Sequence, residues 1–339
     1  MRCETPSWWY RKRGPLAEAL APVSRLYAWA AAARAARVVP YRSSLPVICL
    51  GNFTAGGGGK TPAAIAVAVL LKGMGHRPAF LTRGYGGKTK GPHLVAAGDD
   101  AATVGDEPLL LAAHAPTVVA ADRAAGARMI EAQGHDVIIM DDGFQNLGLS
   151  KDLSLIVADA ALGLGNGLVL PAGPLRAPLD AQLARADALI VVGDGGKAAA
   201  LADAFAQQGK PVLTASIVPT GDPRWLGVLP VIGFAGIARP AKFYATLQSN
   251  GARLIDKRSF PDHHRFSERD ARALLAAAEE RGAMLVTTEK DWMRLPEDRD
   301  TARGELKFRS RPLPIAIAIA DEGKLKVLLE AAMAKKRQN

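Results

Sequence analysis

Short apolar runs alternate with longer helix-like stretches along the first two thirds of the chain. The apolar runs predict seven buried strands, at residues 46–50, 78–82, 117–120, 137–140, 153–158, 188–192 and 212–217. The stretches between them predict four helices, at residues 63–72, 106–113, 123–133 and 197–208. Because continuous apolar strands separated by helices are buried on both sides, this pattern predicts an α/β fold with a parallel sheet and helices on both faces.

The same alternation restarts at about residue 225. It predicts three more strands and two helices, at residues 231–234, 240–248, 253–257, 268–281 and 284–287. Residues 307–320 are expected to return as extended chain, and residues 321–335 as a final helix. The predicted organisation is an N-terminal helix (1–45), a main domain (46–220), a second, smaller α/β domain (221–320) and a C-terminal helix with a basic tail (321–339).

A glycine-rich segment, PVICLGNFTAGGGGKTP, follows the first predicted strand and leads into a helix. This order is typical of a phosphate-binding loop, in which glycines let phosphate oxygens approach the main chain. Lys60 is placed to reach the β- and γ-phosphates, and Thr61 to offer its hydroxyl to Mg²⁺. One departure is Thr54, where the strict G-x-x-x-x-G-K-[ST] pattern has glycine. The loop predicts a P-loop NTPase-type domain whose nucleotide-binding residues are Thr54, Ala55, Gly56, Gly57, Gly58, Gly59, Lys60 and Thr61. A flexible glycine linker ending in GKT is the alternative, and the flanking strand and helix patterns disfavour it.

Two pairs of carboxylates are further candidates. Asp141 and Asp142 end a predicted strand, where a carboxylate can hold Mg²⁺ opposite the loop threonine. One of the two can instead cap the following turn. Asp106 and Glu107 open a helix, where carboxylates are also favoured by the helix dipole alone.

The first 45 residues concentrate positive charge and aromatic side chains. They hold eight Lys or Arg against two Glu, a surplus of +6 within a formal net charge of +10. Glu18, Pro22 and Arg25 interrupt the segment before it could span a bilayer or form the apolar centre of a signal peptide. We therefore expect a basic helix with interfacial aromatics on an anionic membrane surface, although a helix packed on the protein's own core fits the same residues.

Composition also bears on the cellular compartment and on the class of partner. The chain has two cysteines, Cys3 and Cys49, and Cys49 lies in an apolar strand, which suits a reducing compartment. Basic residues are concentrated at the N-terminus rather than spread over a groove, so nucleic acid is not an expected partner.

Eight motifs occur in order between residues 51 and 291. They are GNFTAGGGGKTP, RGYGG, GDEP, DDGFQ, LPAGPLR, GIARP, FPDHH and TTEKD. With the basic N-terminal helix, this ordered set resembles the tetraacyldisaccharide 4'-kinase family, the lipid A pathway kinases of Gram-negative bacteria. The resemblance implies ATP- and Mg²⁺-dependent transfer of the γ-phosphoryl group to the 4'-hydroxyl of an acylated glucosamine disaccharide 1-phosphate. It also implies a peripheral location on the cytoplasmic face of the inner membrane.

The resemblance also implies roles for individual residues. Asp106 matches the family's catalytic aspartate, which pairs with a histidine of the second domain, and His263 is a better match for that histidine than His264. Lys60 completes the catalytic set. The implied metal site comprises Thr61, Glu107, Asp141 and Asp142, and the implied phosphate and acceptor contacts are Tyr85, Arg123, Gln145 and Arg176. This chain reads DDGFQN where the family usually reads DDGFQH, so Asn146 stands in place of a histidine.

Two other functions fit parts of the sequence. A membrane-surface ATPase switch would share the phosphate loop and the N-terminal helix but would need no acceptor base in a second domain. A GTPase is less favoured because the residues TTEKD at 287–291 do not meet the [NT]-K-x-D order.

Overall fold

A computed structural model describes residues 6–56 and 59–337 of the chain. The main domain contains eight strands, β1 Val47–Gly51, β2 Pro78–Thr82, β3 His93–Leu94, β4 Thr117–Val119, β5 Val137–Asp141, β6 Leu153–Asp159, β7 Ala188–Val192 and β8 Val212–Pro219. The seven strands predicted in this region are confirmed, and β3 is a short addition. Strands β8, β7, β6, β1, β5, β2 and β4 lie side by side in this order and run parallel, while β3 pairs with β4 antiparallel at one edge.

Helices cover both faces of this sheet, as predicted. The first six helices are α1 Pro15–Ala35, α2 Lys60–Gly73, α3 Asp106–Ala112, α4 Arg123–Ala132, α5 Leu179–Leu183 and α6 Ala199–Gln207. Successive residues of β1 alternate between the two cores: Ile48 packs with α2, and Cys49 packs in the core that contains α4 and α6 residues. Cys49 is fully buried, as expected for a small core residue.

The smaller domain has its own sheet and helices. Its elements are β9 Pro230–Ala235, α7 Pro240–Ser249, β10 Arg253–Ser259, α8 Glu268–Glu280, β11 Met284–Thr288, α9 Glu289–Met293, α10 Ala302–Arg309 and β12 Ser310–Leu313. The strands are all parallel in the order β10, β9, β11, β12. Ser267 and Asp270 form a capping box at the start of α8, which satisfies amide groups that the first helical turn leaves without partners.

The chain then returns to the main domain. Strand β13, Ile315–Ile319, pairs antiparallel with β8, and the last helix α11, Glu322–Arg337, buries Leu325 and Leu329 in the main core. Extended chain is expected over residues 307–320, but it begins only at Ser310 because α10 continues to Arg309. Residues 315–319 lie in the large sheet, although the predicted boundary assigned them to the smaller domain. The alternating IAIAI pattern predicts a strand but does not indicate which sheet it joins.

The N-terminal segment packs on a loop of the main domain. A 3₁₀ turn at Ser7–Tyr10 precedes α1, and the Trp9 indole donates to the carbonyl oxygen of Pro171 at 3.1 Å. On α1, the Ser24 hydroxyl donates to the carbonyl oxygen of Val169 at 2.8 Å. None of the helices described is long and apolar enough to cross a bilayer.

Candidate active site

The phosphate loop begins where β1 leaves the centre of the sheet. A side chain at Gly51 would overlap Phe144. The end of β1 can therefore lie this close to the segment that contains Phe144 only because Gly51 has no Cβ. Lys60 begins α2, and its Nζ lies 3.3 Å from the carbonyl oxygen of Gly56 and 3.7 Å from Asp142 Oδ1. Two of the predicted loop residues, Gly57 and Gly58, lie outside the described residues.

Neighbouring segments hold the first half of the loop. The Arg176 Nε donates to the carbonyl oxygen of Thr54 at 3.2 Å, and the amide of Ala55 donates to the carbonyl oxygen of Pro174 at 2.7 Å. The Tyr10 hydroxyl donates to the carbonyl oxygen of Ala55 at 3.3 Å. In this structure the main chain of Thr54 and Ala55 is therefore held by hydrogen bonds from the protein itself.

Thr61 and Asp141 meet at the base of the loop. The Thr61 hydroxyl donates to Asp141 Oδ2 at 3.0 Å, and both side chains are buried. Burial, together with the nearby carboxylates Glu107 and Asp142, raises the pKa of Asp141 to about 7. The other oxygen, Oδ1, is buried and has no hydrogen-bond partner in the described part of the chain. A hydroxyl beside a carboxylate with an unsatisfied oxygen fits Mg²⁺, which takes oxygen ligands.

Asp142 lies on the solvent side of the same strand end. Its backbone adopts φ of 47°, and its carboxylate faces Lys60 and Arg176, with Arg176 Nη1 at 3.3 Å. Burial acts to raise the pKa of Asp142, but Lys60 and Arg176 outweigh it and lower the pKa. No group of three or more His, Cys, Asp or Glu residues has metal-binding geometry within residues 6–56 and 59–337.

Asp106 is presented by the first turn of α3. The preceding Gly105 has φ of 97°, and a Cβ there would clash with the carbonyl oxygen of Tyr85, so the RGYGG segment packs tightly against this helix start. The Asp106 side chain is 4% exposed, and its Oδ2 lies 3.2 Å from His263 Nδ1 and forms an ion pair with Arg294. Burial opposes ionisation of Asp106, but His263 and Arg294 outweigh it and lower the pKa.

Glu107 makes a second contact between the domains. Its Oε1 accepts from Lys290 Nζ at 2.7 Å. Burial acts to lower the pKa of Lys290, but Glu107 and Asp106 outweigh it and raise the pKa, so the lysine carries its charge. In this structure Glu107 therefore pairs with the smaller domain, and it also lies close enough to Asp141 to raise the pKa of that carboxyl.

The two histidines of FPDHH have different surroundings. His263 has φ of 56° and lies against the ring of Tyr85, with ring centroids 5.4 Å apart. His264 instead lies 3.0 Å from Asp270 and packs on Phe260 within the smaller domain. The structure therefore brings His263, the better family match, next to Asp106.

Two of the predicted substrate contacts, Arg123 and Gln145, differ in how far their polar atoms are already satisfied by the protein. Arg123 is buried at the start of α4, where burial and the nearby Arg83 lower its pKa to about 10, and its Nε has no partner among the described residues. The Gln145 amide donates to Gln182 at 2.7 Å. Asn146, the departure from the family pattern, accepts from the amide of Gly148 at 3.0 Å and so stabilises the turn after β5.

Sequence reasoning missed most of the contacts between the domains. Arg294 and Lys290 bind the carboxylates of α3, while Arg239 and Lys242 bind Asp159 at the end of β6. Lys290 and Arg239 lie within motifs that carry the resemblance, but nothing in their spacing indicates which carboxylates they meet. Those partners lie at least 80 residues away in the chain.

Comparison with known proteins agrees with the geometry. The family model for tetraacyldisaccharide-1-P 4'-kinase matches residues 16–334. The chain is 49% identical over 332 residues to the tetraacyldisaccharide 4'-kinase of a Methylorubrum extorquens strain, covering 96% of this chain and 98% of the relative. It is 47% identical over 339 residues to the enzyme of the same name from Parvibaculum lavamentivorans, covering 98% and 99%.

A solved structure extends the comparison to the fold. LpxK from Aquifex aeolicus, crystallised in complex with ATP, superimposes with a TM-score of 0.70 at 26% identity, covering 94% of this chain and 99% of that one. The match of family, sequence and fold runs over nearly the entire length. The chain belongs to the tetraacyldisaccharide 4'-kinase family.

Proposed function

We propose that this chain transfers the γ-phosphoryl group of ATP to the 4'-hydroxyl of a tetraacylated glucosamine disaccharide 1-phosphate, a step of lipid A biosynthesis. The observation that carries the proposal is the meeting of two domains beside the phosphate loop. Asp106 of the main domain lies 3.2 Å from His263 of the smaller one, and Thr61 lies 3.0 Å from Asp141 below the loop. A nucleotide switch would need the second of these pairs but not the first.

The nucleotide side of the site follows from charge. Lys60 supplies a cation for the β- and γ-phosphates, and Arg176 lies beside Asp142 at the mouth of the loop. Thr61 and Asp141 would hold Mg²⁺, which supplies neutralisation of the charge on the phosphate oxygens. Phosphoryl transfer depends mainly on positioning and charge stabilisation, and these groups provide both.

The acceptor side requires a base. The 4'-hydroxyl oxygen forms a bond to the γ-phosphorus as the bond from that phosphorus to the β–γ bridging oxygen breaks, and ADP leaves with that electron pair. The proton of the hydroxyl passes to the Asp106–His263 pair. Sharing the proton with the imidazole compensates for the weak basicity of an aspartate whose pKa is low.

The acceptor's location explains the N-terminal helix. A lipid with four acyl chains remains in the bilayer, so the site must approach a membrane surface. Ser24 anchors one side of α1 to the main domain, while Leu26 and Trp29 on the other side are 64% and 69% exposed. Exposed apolar and aromatic side chains together with nearby basic residues are typical of interfacial helices. We place this helix on the anionic cytoplasmic face of the inner membrane, as a peripheral attachment.

The reaction is tested with radiolabelled ATP and the tetraacylated disaccharide 1-phosphate. Label recovered in the lipid supports the kinase, whereas label recovered as free phosphate alone supports the ATPase switch. Asp106→Ala and His263→Ala should each reduce lipid labelling by about 10²–10⁴-fold and leave ATP binding largely intact. Because the two residues act as a unit, the double variant should be little worse than the more damaging single one. Multiplicative losses would indicate two independent roles.

Membrane attachment is tested separately with vesicles of anionic lipid. Removing residues 1–40 should reduce co-sedimentation, and added salt should weaken binding of the intact chain because exposed charges are screened. Vesicles of zwitterionic lipid serve as the control. Equal binding with and without the segment would make α1 a structural helix.

A further inference from the structure

Arg294 occupies the centre of the contact between the two domains. It follows α9 in the smaller domain, and its side chain is 6% exposed. Its Nε donates to Asp106 Oδ2 at 2.8 Å, and its Nη2 makes a second bond to the same oxygen. Its Nη2 also lies 3.4 Å from His263 Nδ1. One guanidinium therefore contacts both members of the proposed proton-accepting pair.

The other side of the guanidinium is anchored in the smaller domain. Nη1 donates to the carbonyl oxygen of Gly236 at 2.8 Å and to Asp291 Oδ1 at 2.5 Å. Asp291 is fully buried, and its second oxygen accepts from the amide of Gly236 at 3.0 Å and from the Thr288 hydroxyl at 2.7 Å. Arg294 is thus fixed before it reaches across the interface.

We propose that Arg294 is a positioning residue for phosphoryl transfer, which orients the Asp106 carboxylate toward the acceptor hydroxyl as the smaller domain docks. This inference rests on the proposed role of Asp106. The other oxygen of Asp106, Oδ1, accepts from the amide of Glu107 at 3.1 Å. With bonds to both oxygens, the plane of the carboxylate is fixed from two directions, and one of those directions comes from the other domain.

The arrangement requires arginine rather than any cation. A guanidinium presents several N–H groups in one rigid plane, whereas an ammonium is a compact charge on a flexible stem. Arg294 uses this geometry to bind Asp106, Asp291 and the Gly236 carbonyl at once. Lys290, one helical turn earlier, has an ammonium and binds Glu107 alone among the hydrogen bonds described here. The smaller domain therefore binds the Asp106 carboxylate with a planar guanidinium and the Glu107 carboxylate with an ammonium group.

The main test is Arg294→Lys, which keeps the positive charge and removes the planar set of N–H donors. We expect kcat to fall by about 10–100-fold while KM for ATP stays within about twofold, because the phosphate loop is unchanged. A second variant, Arg294→Ala/Asp291→Asn, removes the charge of Asp291 together with its counter-ion, and Asp106 keeps its contact with His263. Its kcat should fall at least as far, and added guanidinium at concentrations below denaturation should restore part of it.

Two comparisons separate positioning from general damage to the domain. Arg281→Ala removes an exposed arginine that pairs with Asp256 in the same domain, and it should keep normal kcat and show no rescue. In an Asp106→Ala background, Arg294→Lys should change the residual rate by less than about twofold, because the group that it positions is gone.

The outcomes distinguish this inference from the function on which it rests. Normal lipid labelling by Asp106→Ala would refute the assigned base. A strong loss in Asp106→Ala together with normal kcat in Arg294→Lys would overturn the role of Arg294 and leave the base intact. A rise in KM for ATP at unchanged kcat, or an undiminished effect of Arg294→Lys in the Asp106→Ala background, would also overturn it.

Discussion

Binding of Mg²⁺–ATP should release a proton from Asp141, and the amount released should depend on pH. Burial and the neighbouring carboxylates Glu107 and Asp142 raise the pKa of Asp141 to about 7 in the nucleotide-free chain. A carboxylate that binds a metal must be ionised, so metal binding displaces the proton. We therefore compare binding of Mg²⁺–ATP at pH 6 and at pH 8. Asp141→Asn is the matched variant, because asparagine cannot ionise at this position.

The magnitude follows from the pKa. With a pKa of about 7, about 0.9 proton is bound to Asp141 at pH 6 and about 0.1 at pH 8. The apparent affinity for Mg²⁺–ATP should therefore be weaker by roughly fivefold to tenfold at pH 6 than at pH 8, or about 1–1.4 kcal/mol. Raising the pH through 7 removes the proton from Asp141 before the metal binds, so binding of Mg²⁺–ATP strengthens.

Isothermal titration calorimetry measures this release directly. Preformed Mg²⁺–ATP is titrated into the chain at each pH in two buffers of different ionisation enthalpy, and the difference in heat reports the protons transferred. Asp141→Asn should bind more weakly at both pH values and lose most of the difference between them. Equal proton release at pH 6 and pH 8, or the same release from Asp141→Asn, would refute a protonated buried carboxylate at the metal site.

Three further outcomes follow from the loop and its supports. Lys60→Ala should lower lipid labelling by at least about 10³-fold, because the variant lacks the cation beside the transferred phosphoryl group; near-normal turnover would contradict nucleotide binding here. Arg176→Ala should raise KM for ATP more than it lowers kcat, since the arginine supports the mouth of the loop, and steady-state kinetics can separate the two. Gly51→Ala should lower the free energy of unfolding by about 1–3 kcal/mol by forcing Phe144 aside, while Gly73→Ala, with open space around it, should not; urea denaturation compares them.

The local parts of the site could be predicted from the sequence because their geometry is local. The glycine-rich segment and Lys60 belong to one strand–loop–helix unit, so their relative positions follow from spacing. The 3.0 Å contact of Thr61 with Asp141 joins residues 80 positions apart. The hydrophobic pattern nevertheless predicts the parallel sheet, and adjacent parallel strands end at the same edge of a sheet. The pairing of Asp106 with His263 came from the family motifs and not from any spacing.

What the pattern could not determine is how the second domain meets the first. Strand β13 reads as an alternating strand in either sheet, and its antiparallel pairing with β8 depends on an exposed edge that the rest of the fold leaves available. Arg294 lies three residues after the TTEKD motif and carries no local signal of its function. Its partner Asp106 is 188 residues away, so their contact exists only once both domains are folded and docked.

The sequence by itself determined the strands, the helices between them and the phosphate loop, because these depend on hydrophobic periodicity and on the backbone freedom of glycine over a few residues. The tertiary structure alone decided which charges face which carboxylates. Coulomb interactions and hydrogen bonds depend on distance in space and on burial. The ion pairs of Lys290 with Glu107 and of Arg294 with Asp106 therefore follow only from the docked arrangement of the two domains.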